Sequence, residues 1–234
     1  MLHGMPELGP LLASGRDADI FAYGRDLVVR RSRRGRSMER EARIMRYVAR
    51  HGYPAPRVED VRANGSELVM ERIDGPTMLE VLSKRPWTLR RNAGRLAMLH
   101  HRLHEISAPD WLERVFGGGD RVIHLDLHPL NVILSPQGPR LIDWTNAGCG
   151  TGPADVALTW LLMATADIPG GAMRGTVGSV FRTMFVRSFL GHFEIDAVRT
   201  ALPAVGMWKC EDRNMRPAEV AAMRQLVAAE SSQR

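Results

Sequence analysis

A chain of 234 residues with 44% hydrophobic and 25% charged residues has the composition of a globular protein that can bury a substantial core. No apolar run reaches the roughly 18 residues that a membrane-spanning helix needs, and two cysteines are too few for a disulfide framework or a zinc site. The N-terminus lacks a basic region followed by an apolar stretch, so we expect no signal peptide and a reducing, cytoplasmic compartment.

The net charge of +6 is carried by arginine. Lys84 and Lys209 are the only lysines, so 32 basic residues minus 2 leaves 30 arginines, and five of the seven positions from 30 to 36 are arginine. Such a cluster would suit nucleic acid, but no aromatic residues alternate with it to stack on bases. We therefore expect an exposed loop that leads into a helix, and a basic nucleic-acid-binding module stays open as an alternative.

The first seventy residues alternate short strands with one helix. Turn residues and apolar periodicity predict strands over 8–13, 19–23 and 26–31, a helix that begins at a capping Ser37 and ends before Gly52, and a hairpin of strands 58–62 and 67–73. The hairpin turn would be Asn64-Gly65, the strongest short turn signal in the chain. A linker is expected at residues 74–76.

Beyond the linker the pattern is mainly helical. Helices are predicted over residues 77–83, 90–106, 154–166, 177–192, 195–204 and 218–229, with Asn214 as a cap of the last. His100 and His104 lie one helical turn apart, a spacing that can bind a metal ion. Because no third ligand is evident in the sequence, we expect these histidines to pack rather than to bind metal.

Four polar residues that follow apolar strands indicate the chemistry. His124, Asp126 and Asn131 lie on one tight loop between two apolar strands, and Asp143 follows after a short hairpin. Phosphoryl transfer needs a carboxylate that orients the attacking hydroxyl and oxygen ligands for the Mg²⁺ that bridges the nucleotide phosphates. Asp126 suits the first role, and Asn131 with Asp143 suits the second. The alternative is that these side chains only cap turns between strands.

The pattern His-x-Asp-x-His-Pro-x-Asn, which starts at His124, and the Ile-Asp-Trp at 142–144 resemble the aminoglycoside phosphotransferase and choline kinase-like branch of the protein-kinase-like superfamily. The resemblance covers residues from about 8 to 166, and Leu125 stands where the branch usually has glycine. It implies an α+β, bilobal protein-kinase-like fold. Residues 1–73 would form a small N-terminal antiparallel β lobe with one helix that binds nucleotide. Residues 74–234 would form a larger, mainly helical C-terminal lobe for catalysis and substrate.

The resemblance also implies roles for the loop and the segment between the lobes. Asp126 would be the catalytic carboxylate, supported by His124 and His128. Asn131 and Asp143 would hold Mg²⁺ and, with it, the nucleotide. Met70 would lie at the back of the adenine pocket, where the carbonyl of Glu71 and the amide of Ile73 would bond the base. Asp155 resembles the helix aspartate that braces the catalytic loop.

The small lobe departs from the kinase pattern at one position. Protein kinases use a lysine that contacts the nucleotide phosphates and pairs with a helix glutamate, but no lysine precedes Lys84 here. Arg30 takes the matching strand position and Glu41 the helix position, and the planar guanidinium can hold both carboxylate and phosphate. The loop near Ser14 and Gly15 has one glycine rather than three, so it is a weak candidate for the phosphate-covering loop.

We therefore expect a phosphotransferase that moves the γ-phosphate of ATP, with GTP as an alternative donor, to a hydroxyl of a small molecule. Neither a membrane nor a nucleic acid is an expected partner. A cationic aminoglycoside needs an acidic pocket, yet residues 151–234 contain eight acidic and nine basic residues, so the acceptor stays open. A nucleotide-binding pseudokinase without turnover remains a second alternative, because the lysine is missing.

Overall fold

A computed structural model describes residues 7–116, 118–165, 175–212 and 215–232. The chain forms two compact units, of which the first comprises residues 1–75 and 133–145 and the second comprises residues 76–132 and 146–234. The lobe boundary expected from the sequence would have placed residues 133–145 with the C-terminal part. In the structure, this hairpin packs with the N-terminal sheet and its helix instead.

A five-stranded antiparallel sheet in the order β1-β2-β3-β5-β4 forms most of the first unit. Its strands are β1 (Leu8–Ser14), β2 (Ala18–Tyr23), β3 (Leu27–Ser32), β4 (Val58–Arg62) and β5 (Glu67–Glu71). The β4–β5 turn contains Asn64 and Gly65 with φ of 53° and 88°, a left-handed conformation that these two residues adopt readily. The predicted order of three strands, one helix and a hairpin is confirmed.

The central strand β3 presents different residues to the two faces of the sheet. Val29 packs with Tyr23 and Val69 in a buried cluster. Because side chains alternate along a strand, Arg30 points to the opposite face. Helix α1 (Glu39–Arg50) packs on that face, since its Glu41 bonds the guanidinium of Arg30. One face of the sheet therefore carries this apolar cluster, and the other carries Arg30 beside the buried Leu68 of β5.

Helix α1 begins one residue later than predicted. Ser37 is not its N-cap, which is Met38, and the Ser37 hydroxyl oxygen only accepts a 3.3 Å hydrogen bond from the Glu39 amide. The buried Met38 is fixed by its own amide, which donates to the Gly65 carbonyl at 2.8 Å. Tertiary packing against the β4–β5 turn thus decides where the helix starts.

A second hairpin, β7 (Val132–Ser135) and β8 (Gly138–Leu141), leads to the segment that carries Asp143. The segment is anchored by Trp144, which is fully buried, donates its indole N–H to the Leu141 carbonyl at 3.0 Å and meets the Tyr53 ring edge-on at 5.5 Å. An indole with a bonded N–H is a rigid apolar anchor. It fixes the backbone on both sides of Asp143.

The second unit is mainly helical, as predicted. Its helices and strands are α2 (Met78–Lys84), α3 (Leu89–His104), β6 (Arg121–Ile123), β9 (Gly148–Gly150), α4 (Gly152–Thr165), α5 (Gly175–Leu190), α6 (Ile195–Cys210) and α7 (Pro217–Ser231). Helix α2 starts with a capping box between Thr77 and Glu80. Every residue of α4 from Ala154 to Leu161 is buried, so α4 is the central helix of this unit.

Two features at the C-terminal end differ from the sequence expectation. Helix α6 does not end at residue 204 but continues to Cys210 with Pro203 inside it, because the buried stripe of Val198, Leu202 and Val205 holds the helix together despite the proline. The predicted cap Asn214 lies outside the described residues. The observed N-cap of α7 is Arg216, followed by a proline in the first turn.

Four of the five arginines in the cluster lie at the surface, as predicted, whereas Arg30 is largely buried, and Arg30 and Arg31 belong to β3 rather than to a loop. Arg31 and Arg33 are exposed and pair with Glu67 and Asp19 of the neighbouring strands. Arg34 and the following arginine are exposed as well.

The described helices include none with the length and apolar character needed to cross a bilayer.

Candidate active site

The loop of residues 124–131, between β6 and β7 in the chain, is anchored by one carboxylate. Asp155 of α4 is fully buried and accepts the backbone N–H groups of Leu125 at 2.8 Å and His124 at 3.2 Å. A buried carboxylate must be bonded, and backbone amides satisfy it well. The expected role of Asp155 as the brace of this loop is confirmed.

Two further contacts hold the same loop. The hydroxyl of Thr159, one helical turn after Asp155, donates to the Leu127 carbonyl at 2.7 Å. On another side, the amide of Leu79 in α2 donates to the Pro129 carbonyl at 3.1 Å. The loop backbone is therefore fixed on either side of Asp126.

Helix α3 supports Asp155 from behind. His104 Nε2 lies 2.9 Å and His100 Nδ1 lies 3.4 Å from the same carboxylate oxygen. Burial by itself would raise the pKa of Asp155, but the hydrogen bonds and charges of the two histidines hold this pKa well below its usual value. No third potential ligand beside the histidines was evident in the sequence, whereas the structure brings the donor atoms of His100, His104 and Asp155 within 4.8 Å of one another. That these histidines pack rather than bind metal stays a prediction.

Asp126 lies between Asn131 and His128. The Asn131 side-chain amide donates to the Asp126 carboxylate and to the Asp126 carbonyl, both at 2.9 Å. His128 Nε2 lies 3.2 Å from the other carboxylate oxygen. Three of the four predicted site residues on this loop are thus in direct contact, while the fourth, His124, lies buried at the start of the loop.

The surroundings of Asp126 favour its ionised form. Burial would raise the pKa of Asp126, but the hydrogen bond and charge of His128, followed by the charges of His124 and Lys209, outweigh burial and lower this pKa. Lys209 is itself buried and pairs with Asp212 at 2.8 Å. The carboxylate is therefore a strong hydrogen-bond acceptor and a weak base at neutral pH.

The hydrogen bonds of Asn131 also fix the position of its side-chain oxygen. Because its Nδ2 donates both hydrogens toward Asp126, its Oδ1 is left as an acceptor. An amide oxygen is a ligand that Mg²⁺ takes. The fixed side-chain orientation fits the predicted metal role.

Leu125 adopts a backbone conformation that glycine takes up more readily than a residue with a Cβ. Its φ is 59°, in the left-handed region, although its side chain is fully buried. For a residue with a Cβ this conformation costs about 1–2 kcal/mol. The bond from its amide to Asp155 and the burial of its side chain hold it there, so the loop geometry survives the replacement of glycine.

The first unit contains a second polar cluster. Arg30 bonds Glu41 through Nη1, and its Nη2 lies 3.2 Å from Asp143 Oδ1 and 3.3 Å from the Thr145 hydroxyl oxygen. Glu41 also accepts the Trp144 amide at 3.3 Å. The predicted pairing of Arg30 with Glu41 is confirmed, and the structure adds Asp143 to it.

Burial and charge act in opposite directions in this cluster. Burial lowers the pKa of Arg30, but the carboxylates of Glu41 and Asp143 raise it above its usual value, so the guanidinium is always charged. Burial raises the pKa of Glu41 and the charge of Asp143 adds to this rise, whereas Arg30 lowers it. One cation is thus shared by two carboxylates.

The backbone conformation of Asp143 leaves its side chain partly exposed. Its φ is 63°, a conformation that aspartate tolerates better than most residues, and its side chain is 39% exposed. Its Oδ1 accepts from the Thr145 hydroxyl at 2.8 Å. A partly exposed carboxylate on a rigid backbone fits the predicted metal role. Since Asn131 and Asp143 belong to different units, their joint binding of one ion stays a prediction.

The remaining predicted residues of the first unit lie at the end of β5. Met70 pairs with Val28 in the sheet register. The Glu71 amide donates to the Arg57 carbonyl at 2.8 Å, and its carboxylate accepts from Arg140. The predicted adenine contacts use the Glu71 carbonyl and the Ile73 amide instead, and they stay predictions.

In the loop around Ser14 and Gly15, polar groups bond to neighbouring protein groups. The Ser14 hydroxyl donates to Asp19 at 2.8 Å and also contacts Arg33. Gly15 closes the turn through its amide, which donates to the Ala18 carbonyl at 2.9 Å.

Sequence reasoning missed three residues of these clusters. Thr159 could have been found, since it lies four residues after Asp155 and so on the same face of α4. Thr145 follows the Ile-Asp-Trp segment directly. Lys209 carries no local signal, because only the tertiary fold brings its charge near Asp126.

The sequence model of the phosphotransferase enzyme family matches residues 10–117 and 109–181, which is most of the chain. The chain belongs to the phosphotransferase enzyme family. The expected family and the expectation that the chain is an enzyme of this class are both confirmed. No curated protein sequence matches this phosphotransferase.

Solved structures share its fold. A thermostable mutant of aminoglycoside phosphotransferase APH(4)-Ia in ternary complex with AMP-PNP and hygromycin B is 14% identical, with a TM-score of 0.68 and coverage of 99% of this chain and 95% of that chain. The gentamicin complex of APH(2″)-IIa is 17% identical, with a TM-score of 0.65 and coverage of 99% and 91%. A choline/ethanolamine kinase family protein from Mesorhizobium loti is 16% identical, with a TM-score of 0.58 and coverage of 99% and 90%. The α+β kinase-like fold is confirmed.

Alanine variants are usually more stable than glycine variants, and the strain at Leu125 should reverse this order of stability. Both Leu125→Ala and Leu125→Gly lose a buried side chain, at about 2–5 kcal/mol. Only glycine relieves the left-handed conformation, so we expect Leu125→Gly to be about 1 kcal/mol more stable than Leu125→Ala in urea unfolding. At Leu127, buried but without positive φ, glycine should be the less stable replacement. If Leu125→Ala is as stable as Leu125→Gly or more stable, the backbone at Leu125 is not strained.

Proposed function

We propose that this phosphotransferase transfers the γ-phosphate of ATP to a hydroxyl group of a small molecule, and that Asp126 orients this hydroxyl. The observation that carries the proposal is the ionised Asp126 carboxylate, held by Asn131 and His128 on a loop whose backbone is fixed by Asp155. Positioning is the main contribution of a protein to phosphoryl transfer. A rigid acceptor of one hydrogen bond is what this reaction requires.

The lowered pKa of Asp126 fits this role better than that of a strong base. In a largely dissociative transition state the bond to the leaving oxygen is broken before the hydroxyl proton has to move. The carboxylate therefore accepts a hydrogen bond from the hydroxyl first and receives its proton late. His128 holds the carboxylate oxygen that does not contact Asn131, and His124 would support the loop from its buried position at the start.

The oxygen donors Asn131 Oδ1 and Asp143 are the residues that would hold Mg²⁺. When bound, this ion neutralises charge on the nucleotide phosphates. Arg30, kept charged and oriented by Glu41, would contact the phosphates through its planar guanidinium. The contact of Arg30 with Asp143 supports this proposal, because the guanidinium reaches the carboxylate that would bind the ion.

ATP is the donor that we favour, with GTP as the alternative. The APH(4)-Ia complex contains AMP-PNP, an ATP analogue. In this chain, the backbone after β5 would bond the adenine through the Glu71 carbonyl and the Ile73 amide, with Met70 behind the base. Backbone groups recognise the base without a specific side chain.

Of the alternatives, a nucleic-acid-binding module is disfavoured by the surface charges. Arg31 and Arg33, in the densest basic cluster, are paired with Glu67 and Asp19, so their charges are partly compensated. A pseudokinase without turnover would bind Mg·ATP and transfer phosphate to no acceptor in a panel of amino sugars, nucleosides, amino alcohols and hydroxy acids.

Replacement of the orienting carboxylate should separate turnover from nucleotide binding. We expect Asp126→Ala to lower phosphate transfer to the best acceptor of this panel by about 10²–10⁴-fold, the range for loss of a positioned base. Its affinity for ATP should change little. Asp110→Ala, which removes an exposed carboxylate of the same unit, serves as the control. Undiminished transfer by Asp126→Ala would remove Asp126 from the mechanism.

Replacement of the proposed metal ligand should affect binding only when the ion is present. Asp143→Asn removes a negative charge from the oxygen donors, so we expect ATP affinity measured with Mg²⁺ to fall by about tenfold or more, and affinity measured in EDTA to stay within about twofold. Asp74→Asn, at an exposed position of the same unit, is the matched control. An equal loss with and without Mg²⁺ would show that Asp143 does not bind the ion.

A further inference from the structure

The second unit contains an apolar cavity beside the catalytic loop. It has a volume of about 120 Å³ and is lined by the loop residues His128 and Pro129 and by helices α2, α4 and α5. Its other walls are leucine, methionine and phenylalanine side chains, among them Leu82, Leu162 and Phe181. An apolar cavity of about 150 Å³ is known to bind one benzene molecule. This cavity therefore has the size and lining for one ring or a short alkyl chain.

One permanent charge lies in the wall of the cavity. Arg182 of α5 is half-buried, and its Nη1 donates to the neutral carbonyl of Ala164 at 3.2 Å. Its Nε is buried and has no hydrogen-bond partner in the part of the chain that the structure describes. Arg182 also lines a second cavity, together with Ala164 and Glu230, and no carboxylate among the described residues pairs with it. A half-buried guanidinium without a carboxylate partner is available to an anion. Its position indicates an anionic partner.

One residue of the cavity wall also contacts the proposed catalytic carboxylate. His128 lines the cavity and at the same time lies 3.2 Å from the Asp126 carboxylate. The charge of Lys209 acts on Asp126 as well. A cationic acceptor, such as an amino sugar, would approach this like charge.

We propose that the acceptor is an amphiphilic hydroxy compound, with an apolar ring or short chain in this cavity and an anionic group paired with Arg182. This rests on the proposed function. In the transfer, the acceptor hydroxyl oxygen bonds to the γ-phosphorus, and the bond from this phosphorus to the β,γ-bridging oxygen breaks. ADP leaves with that oxygen, and the hydroxyl proton goes to Asp126. Arg182 then determines specificity and takes no part in the bond changes.

Three probes of equal shape and different charge test the proposal. They are 4-(hydroxymethyl)benzoate, the neutral 4-methylbenzyl alcohol and the cationic 4-(aminomethyl)benzyl alcohol. Their dissociation constants are measured by ligand-detected NMR titration of the full chain without nucleotide. We expect the carboxylate to bind about tenfold more tightly than the neutral probe, as for a charge-assisted contact, and the amine to bind most weakly.

Two variants separate charge from apolar contact. Arg182→Met should weaken binding of the carboxylate probe about tenfold and binding of the neutral probe less than about twofold, because methionine keeps the apolar stem of the side chain. Phe181→Ala should weaken all three probes by a similar factor and preserve their order. The exposed Arg187→Met, on the same helix, is the control and should change none of the three.

Each contrary result overturns the proposal. Preference for the amine, equal affinities, or an equal loss of all three probes in Arg182→Met would exclude an anionic partner of Arg182. Binding of none of the three below about 10 mM would exclude the cavity as an acceptor site. If Arg182→Met does not fold, the order of the three dissociation constants on the unaltered protein decides whether the proposal holds. Mg·ATP titration of the same samples tests the proposed function separately, since it does not involve the cavity.

Discussion

The free energy of burying a charge without a partner constrains the side chains proposed to be functional in both units. In the second unit the charge is Asp155, a carboxylate fully enclosed by apolar helices. Its removal from water is compensated by hydrogen bonds from two loop amides and by the two nearby histidines of α3. The loop, α3 and α4 are therefore tied to one point, and Asp126 is positioned as a result. The same contacts explain why Leu125 is held in a left-handed conformation that its side chain disfavours.

In the first unit the constrained charge is Arg30. A lysine is a compact point charge, whereas a guanidinium offers several N–H groups in one plane and can bond two carboxylates at once. Arg30 uses this geometry, since one nitrogen bonds Glu41 and the other approaches Asp143. The Trp144 indole fixes the segment that carries Asp143, so the cluster depends on apolar packing as much as on charge.

Local patterns predicted most of the fold and part of the site. The order of strands and helices, the Asn64-Gly65 turn and the pairing of Arg30 with Glu41 follow from residues close in sequence or from a motif of fixed spacing. The start of α1 and the length of α6 were wrong, because tertiary packing of Met38 and of the α6 stripe overrides the local signals of Ser37 and Pro203. Contacts over long sequence distances, such as those of Asp155 with His100 and His104, have no local signature, and neither does the cavity around Arg182.

The role of Arg30 as a phosphate contact can be measured by comparing ATP with adenosine, which has the same base and no phosphates. For the parent protein and Arg30→Met, the two dissociation constants are determined by calorimetry, with the exposed Arg31→Met as control. We expect Arg30→Met to bind ATP about tenfold or more weakly and adenosine as the parent does, because only phosphate contacts need the charge. Arg30→Lys should bind ATP with intermediate affinity. If Arg30→Met weakens ATP and adenosine equally, or neither, Arg30 does not contact the phosphates, and the replacement of the kinase lysine by this arginine has no functional meaning.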